Sequence, residues 1–201
     1  MATNPLPYLS EDAYLAIERE AETKSEYHHG QIFAMSGGTN SHSRIGVNVC
    51  AEFRQAVRGR GCSVTNSDLR LRIPKQGSYV YPDMMISRDE SASQSQSDFA
   101  EKPILIAEVL SPSTELYDRG VKFALYKTVE SCREYMLISQ SEPLVELFSR
   151  QPGGWLLTEA RGLDASIRIE SLGCEIPLSG IYENVTFPEP PPDPSLAGKI
   201  E

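Results

Sequence analysis

The 201-residue sequence predicts an α/β fold: a central mixed β-sheet flanked by helices, with an antiparallel C-terminal extension. Three observations point there. Between His42 and Ser139 a segment of helical period is followed by three strand-like runs, a second helical segment and one more strand. The trailing stretches "PLVELFSR", "GWLLTEAR" and "ASIRIES" then alternate as antiparallel strands do. A hydrophobic content of 40% suffices for one core, which sets the expected domain at residues 1–187 and leaves the Pro-rich 188–201 as an extended or disordered tail.

Residues 10–28 read as a helix capped by Ser10, with Ala13, Leu15, Ala16, Ile17 and Ala21 as apolar positions. "GQIFAMSGG" reads as a strand leaving a glycine turn. From His42 to about Arg58, the residues Ile45, Val49, Phe53 and Val57 recur at four-residue steps, an amphipathic stripe that stops at Gly59 and Gly61. "CSVTNSDLRLRIP", "SYVYPDMMIS" and "PILIAEVLS" are the three strand-like runs. The second should be bent or bulged at Pro82, which has no backbone donor for the ladder. "RDESASQSQSDFAEK" is an expected exposed loop. After Pro112 a Ser/Thr cap and the set Val121, Leu125, Val129 predict another helix, "REYMLIS" returns as a strand, and a short helix is expected near "LSGIYENV".

Composition narrows the function classes. Twenty-eight acidic against nineteen basic residues give a net charge of -9, which opposes sequence-independent nucleic-acid binding unless basic groups gather locally. Between Phe53 and Lys75, Arg54, Arg58, Arg60, Arg70, Arg72 and Lys75 meet only Asp68. A local basic surface for a phosphate backbone is one reading of that stretch, and a solvated face with scattered counterions is the other. Cys50, Cys62, Cys132 and Cys174 are too dispersed for a zinc cluster, and His28, His29 and His42 lack the helical metal spacing, so reduced thiols are expected. No apolar run reaches eighteen residues, and the first residues lack the basic and apolar regions of a secretory signal, so a cytoplasmic protein away from membranes is expected. No glycine-rich nucleotide loop occurs.

The chemistry centres on two acids. Glu108 interrupts the apolar run Pro103 to Leu110, where an ionised carboxylate is expensive unless a cation, a donor network or a metal compensates for lost water. Asp83 interrupts the neighbouring run "YVYPDMMIS" in the same way. Converging at strand ends, the two would form an oxygen-rich pair suited to a hard divalent cation such as magnesium or manganese; solvated strand-end acids are the alternative.

Pro82-Asp83 followed by Glu108-Val109-Leu110, within a helix-strand-strand-strand-helix-strand order, resembles the PD-(D/E)xK nuclease superfamily. More narrowly, "KSEYHHGQIFAMSGGTNSHSRI", "YVYPDMMIS", "IAEVLSPSTELYDRGVKFALYKTVESCREYMLIS" and "SLGCEIPLSGIYENV" resemble the Uma-two family of restriction-endonuclease-like proteins, in one order and over nearly all of the chain up to about residue 187. The resemblance implies a restriction-endonuclease-like core and a magnesium- or manganese-dependent endonuclease acting on nucleic acid, DNA in the first instance, with a homodimer as a further option. It assigns Asp83 and Glu108 to the metal. The strict pattern would place lysine at position 110, where this chain has Leu110, and the resemblance moves that role to Lys122 on the following helix. A competing reading makes Lys122 the exposed i,i+4 partner of Asp118.

The same resemblance marks Glu26, His42 and Asp68 as residues beside the site, with His42 capping the second helix or supporting a ligand. Under this reading Asp83 and Glu108 hold the metal, Lys122 stabilises the transition state, and Arg54, Arg58, Arg70 and Arg72 contact the backbone. A catalytically weak nucleic-acid-binding or regulatory module, a hydrolase of a smaller phosphoester, and a homo-oligomeric structural protein are the rival classes, because fold alone does not settle function.

Overall fold

The computed structural model describes residues 8–35, 37–88 and 97–188. Residues 89–96 of the expected loop and 189–201 of the expected tail lie outside the described residues. The first helix, α1 (Glu11–Glu20), is capped as expected, Ser10 Oγ accepting from Ala13 N–H at 3.2 Å. It ends at Glu20 rather than near His28, because the following segment turns to strand. Glu18 there accepts from both the backbone N–H and the hydroxyl of Ser25. Strands β1 (Ser25–His28) and β2 (Gln31–Ala34) form a hairpin across His29 and Gly30, whose φ values of 46° and 83° are the two positive angles a type I′ turn requires. That turn sets the register Glu26 to Phe33 and Tyr27 to Ile32.

Helix α2 (Asn40–Ala56) buries Ile45, Val49 and Phe53, the predicted stripe. Its cap is Thr39, whose Oγ1 accepts from His42 N–H at 3.1 Å, so His42 does not cap and its ring is available elsewhere. Thr39→Ala should cost about 1 kcal/mol, read as a lower denaturation midpoint with an unchanged m-value.

Two of the predicted strand runs are each broken in two. "CSVTNSDLRLRIP" becomes β3 (Cys62–Asn66) and β4 (Arg70–Ile73), separated by a turn in which Asn66 Oδ1 accepts from Asp68 N–H. "SYVYPDMMIS" becomes β5 (Ser78–Val80) and β6 (Met84–Arg88), parted at Pro82. Each break moves the chain between sheets. With β7 (Phe99–Ala100), the order of the five-stranded sheet is β2-β1-β5-β4-β7. The central sheet adds β8 (Pro103–Leu110), β9 (Glu134–Ser139), β10 (Leu144–Gln151) and β11 (Gly154–Arg161) in the order β11-β10-β9-β8-β6-β3. It is mixed: β8 and β9 run parallel, while the other pairings are antiparallel. A hairpin of β12 (Ser166–Ile169) and β13 (Cys174–Pro177) and the short α5 (Leu178–Ile181) complete the expected extension.

The pleat divides the core. Met84, Ile86, Leu105, Ala107 and Val109 face α2, the β12–β13 hairpin and α5. Met85, Ile106 and Leu110 face the helix after Pro112 together with Leu71, Ile73 and Val80 of the five-stranded sheet. Tyr14, Tyr27 and Tyr79 form a third cluster under α1.

The helix after Pro112 is not one α-helix. It runs as α3 (Glu115–Tyr117), a π turn over Asp118–Lys122, and α4 (Phe123–Lys127). The wider turn advances the phase, so Val121 of the expected stripe is exposed while Asp118 and Lys122 face inward with Phe123, Leu125 and Tyr126. Among the described residues no helix is long and apolar enough to cross a membrane.

Candidate active site

The register of β6 against β8 pairs Met84 with Ala107, which sets Asp83, just before β6, against Glu108. Backbone bonds lock them together: Asp83 N–H donates to Glu108 Oε2 at 3.3 Å, and Val109 N–H donates to Asp83 Oδ2 at 2.7 Å. Glu108 is 2% exposed. Its Oε1 accepts from Lys122 Nζ at 3.0 Å and from Tyr126 Oη at 2.6 Å. The compensation demanded by its apolar run is therefore a buried ammonium and a phenol.

Lys122 reaches the acids because the π turn points it inward, where it is 6% exposed. Its ammonium lies 3.0 Å from Glu108, 3.3 Å from Glu26 and 3.5 Å from Asp118. The i,i+4 pair with Asp118 exists, but buried rather than on an exposed face. Glu26 comes from β1 and is held by Tyr81 N–H and Tyr117 Oη, each at 3.0 Å. His42, at the start of α2, directs Nε2 to 3.4 Å from Asp83 Oδ2.

The electrostatics follow from this crowding. Burial pushes Glu108 well above the ordinary carboxylate range; Lys122 and Tyr126 act against it, while Asp118 and Asp83 reinforce it. Burial also opposes the Lys122 charge, yet Glu108, Glu26, Asp118 and Asp83 together outweigh it and raise its pKa well above that of ordinary lysine. One ammonium faces four neighbouring carboxylates, which favours the charged form of Lys122 and makes the ionised form of buried acids such as Glu108 the costly one. Asp118 is likewise raised, chiefly by burial. The hydrogen bond to Asp83 raises His42 against the effect of burial.

These groups line one hollow of about 470 Å³, bounded further by Phe33, Met35, Gly38, Pro112 and Tyr117. A larger hollow of about 610 Å³ lies at the opposite ends of the same strands, beside Arg88, Arg133 and Arg150, and contains neither Asp83 nor Glu108. Among the described residues no three His, Cys, Asp or Glu side chains form a ready metal cage. The donor set nevertheless suits magnesium or manganese. Among the described residues Glu108 Oε2 accepts only the 3.3 Å bond from Asp83 N–H, and no hydrogen bond reaches Asp83 Oδ1. Two adjacent carboxylates thus retain acceptor capacity, and magnesium is commonly bound by one or two carboxylates with water and substrate phosphate completing its shell.

Of the residues singled out from the sequence, Asp83, Glu108, Lys122, Glu26 and His42 meet here. Asp68 does not: it is a surface acid bonded to Lys24 at 2.5 Å, beside a separate hollow with Arg54. Nor do the arginines form the expected basic surface. Arg70 is buried against Asp98, while Arg72 pairs with Glu11 and Glu101. Lys75 pairs with Glu130. Acids distant in sequence thus neutralise Arg70, Arg72 and Lys75, while Arg54 and Arg58 stay exposed on or beside α2 and Arg60, also exposed, donates to the Leu172 carbonyl. The inward roles of Asp118, Tyr117 and Tyr126 were missed, although the spacing 118, 122, 126 places three polar groups on one helical face within an apolar segment.

The comparisons agree with this architecture. The chain is 36% identical over 184 residues, 91% of its length, to the Synechocystis sp. protein slr1290, covering 96% of that protein. It is also 36% identical over 156 residues to sll1609 of the same organism, covering 77% of this chain and 88% of that one. A crystal structure from Anabaena variabilis, titled as "a putative nuclease belonging to DUF820", has the same fold, with a TM-score of 0.71 at 17% identity over 87% of this chain and 97% of that one. The model of the Uma2 family, described as "Putative restriction endonuclease", matches residues 11–179, and the chain belongs to that family.

Proposed function

We propose that this protein is a magnesium- or manganese-dependent endonuclease that hydrolyses phosphodiester bonds in nucleic acid, DNA in the first instance. The observation that carries the reading is the convergence of Lys122 on the Asp83–Glu108 pair, where two carboxylates keep spare acceptor capacity within reach of a buried ammonium. Family membership supports it, as does the description of the structural neighbour as a nuclease. The four free cysteines suit a reducing cytoplasm.

Asp83 and Glu108 would hold the cation, which supplies an acidified water and neutralises charge on the scissile phosphate. Val109 N–H and His42 orient Asp83, while Tyr126 orients Glu108. Lys122, already charged and desolvated, stabilises negative charge developing on the phosphoryl oxygens as a preorganised point charge. Glu26 and Asp118 hold the ammonium in place, with Tyr117 fixing Glu26.

A cleavage panel of plasmid, single-stranded DNA and RNA, with magnesium, manganese and EDTA, tests this reading. Cleavage that needs metal and vanishes in Asp83→Asn is expected. Metal-independent cleavage would refute the assigned role, whereas nucleic-acid binding with no cleavage would transfer the reading to a binding module on the same fold.

A further inference from the structure

The acid-lined hollow has little to offer a duplex backbone. Glu26, Asp83, Glu108 and Asp118 stand against Lys122 and His42, and among the described residues no arginine lines it. Lys122 is already shared by three carboxylates. A metal bound at the acid pair would compensate locally, but it would not provide the row of cations that tracks two phosphate strands.

The mouth offers apolar surface instead. Phe33 is 44% exposed and Met35 36%. Their position follows from the hairpin: the two-residue His29-Gly30 turn fixes Phe33 opposite Glu26, and directly opposed residues share a face of the sheet. Glu26 is the carboxylate 3.3 Å from Lys122, so the Phe33 ring stands on the same face beside the ammonium's partner. Met35, two residues on, continues that face, its N–H donating to Lys24 O at 3.2 Å. Strand β2 is the edge of its sheet, and both side chains border the hollow.

We propose that Phe33, flanked by Met35, is a nucleobase subsite: an unpaired base next to the scissile phosphate stacks on the ring, which makes single-stranded nucleic acid the preferred substrate class. This inference rests on the nuclease reading for the identity of its ligand. Stacking on an aromatic side chain is tolerant of sequence and does not require a basic groove at the same point. A base paired within a duplex presents its face to its neighbours and cannot occupy the subsite without leaving the stack.

The test uses one labelled oligonucleotide, single-stranded and as its duplex, with wild type, Phe33→Ala and Phe33→Trp. Binding is read by fluorescence anisotropy and cleavage by initial rates in magnesium. Wild type should bind the single strand more tightly than the duplex. Phe33→Ala should weaken single-strand binding and raise KM by roughly tenfold, with kcat and melting temperature little changed. Phe33→Trp should restore both. Equal affinity for the two forms, no binding at all, or binding indifferent to Phe33→Ala would overturn the subsite. Ring-dependent single-strand binding without metal-dependent cleavage would keep the subsite and reject the nuclease reading.

Discussion

Lys122→Met should lower the stability of the metal-free protein by about 3–5 kcal/mol and, in the metal-loaded protein, slow cleavage by about 10²–10³-fold, mostly in kcat. Methionine matches the apolar stem but removes the charge that Glu108, Glu26 and Asp118 share. Those acids would be left buried with neutral donors, phenols and backbone N–H groups at Glu26 and Glu108 and the Thr114 hydroxyl at Asp118. The melting temperature should fall on the order of 10 °C for a domain of this size. The deficit should narrow as pH falls, because an acid with a raised folded-state pKa binds protons more tightly in the folded protein and costs stability when it ionises at higher pH. Lys122→Arg should rescue stability better than rate, since a planar guanidinium keeps the charge but shifts it away from the point occupied by Nζ. An unchanged melting curve for Lys122→Met would show that the acids are already protonated and that the ammonium organises nothing.

The parts of this arrangement that rest on local pattern were legible in the sequence. The α2 stripe, the strands β6, β8 and β9 and the pair Asp83 and Glu108 depend on apolar period and on acids conspicuous in apolar runs, whereas the short β7 falls in the stretch read as a loop. Two features were not legible for the same reason: they depend on partners far along the chain. Arg70 and Arg72 look like a basic strand face until Asp98, Glu11 and Glu101 arrive from other elements. The run "CSVTNSDLRLRIP" alternates well enough to be one strand, yet the Asn66–Leu69 turn divides it between sheets whose cores make competing demands. The π turn is a third case. Val121, Leu125 and Val129 satisfy an α-helical period, and inward placement of both Asp118 and Lys122 is satisfied by inserting one wider turn. Tertiary pairing of the ammonium with Glu26 and Glu108 is the compensation, and neither partner is on that helix.

Glu108→Gln should separate the chemistry of the acid pair from its structural role. The amide is nearly isosteric, its oxygen can still accept from Tyr126 and Lys122, and Lys122 keeps Glu26 and Asp118 as counterions. Because burial raises the Glu108 pKa, ionising it at neutral pH detracts from metal-free stability; that penalty begins as pH rises above the ordinary carboxylate range and is complete above the folded-state value. Removing the charge should therefore leave the metal-free protein within about 1 kcal/mol of wild type or slightly more stable, in contrast to the loss on removing Lys122. Metal affinity should change in the opposite sense. The acceptor capacity of Oε2 beside Asp83 would be replaced by an amide group that cannot bear the charge of the cation, so calorimetric binding of magnesium or manganese should disappear. Cleavage should fall with it by more than about 10³-fold, the rate equivalent of several kcal/mol of transition-state stabilisation. If Glu108→Gln instead unfolds the protein while wild type binds no divalent cation, Glu108 is a structural counterion for Lys122, and the hollow is a buried charge cluster without catalysis.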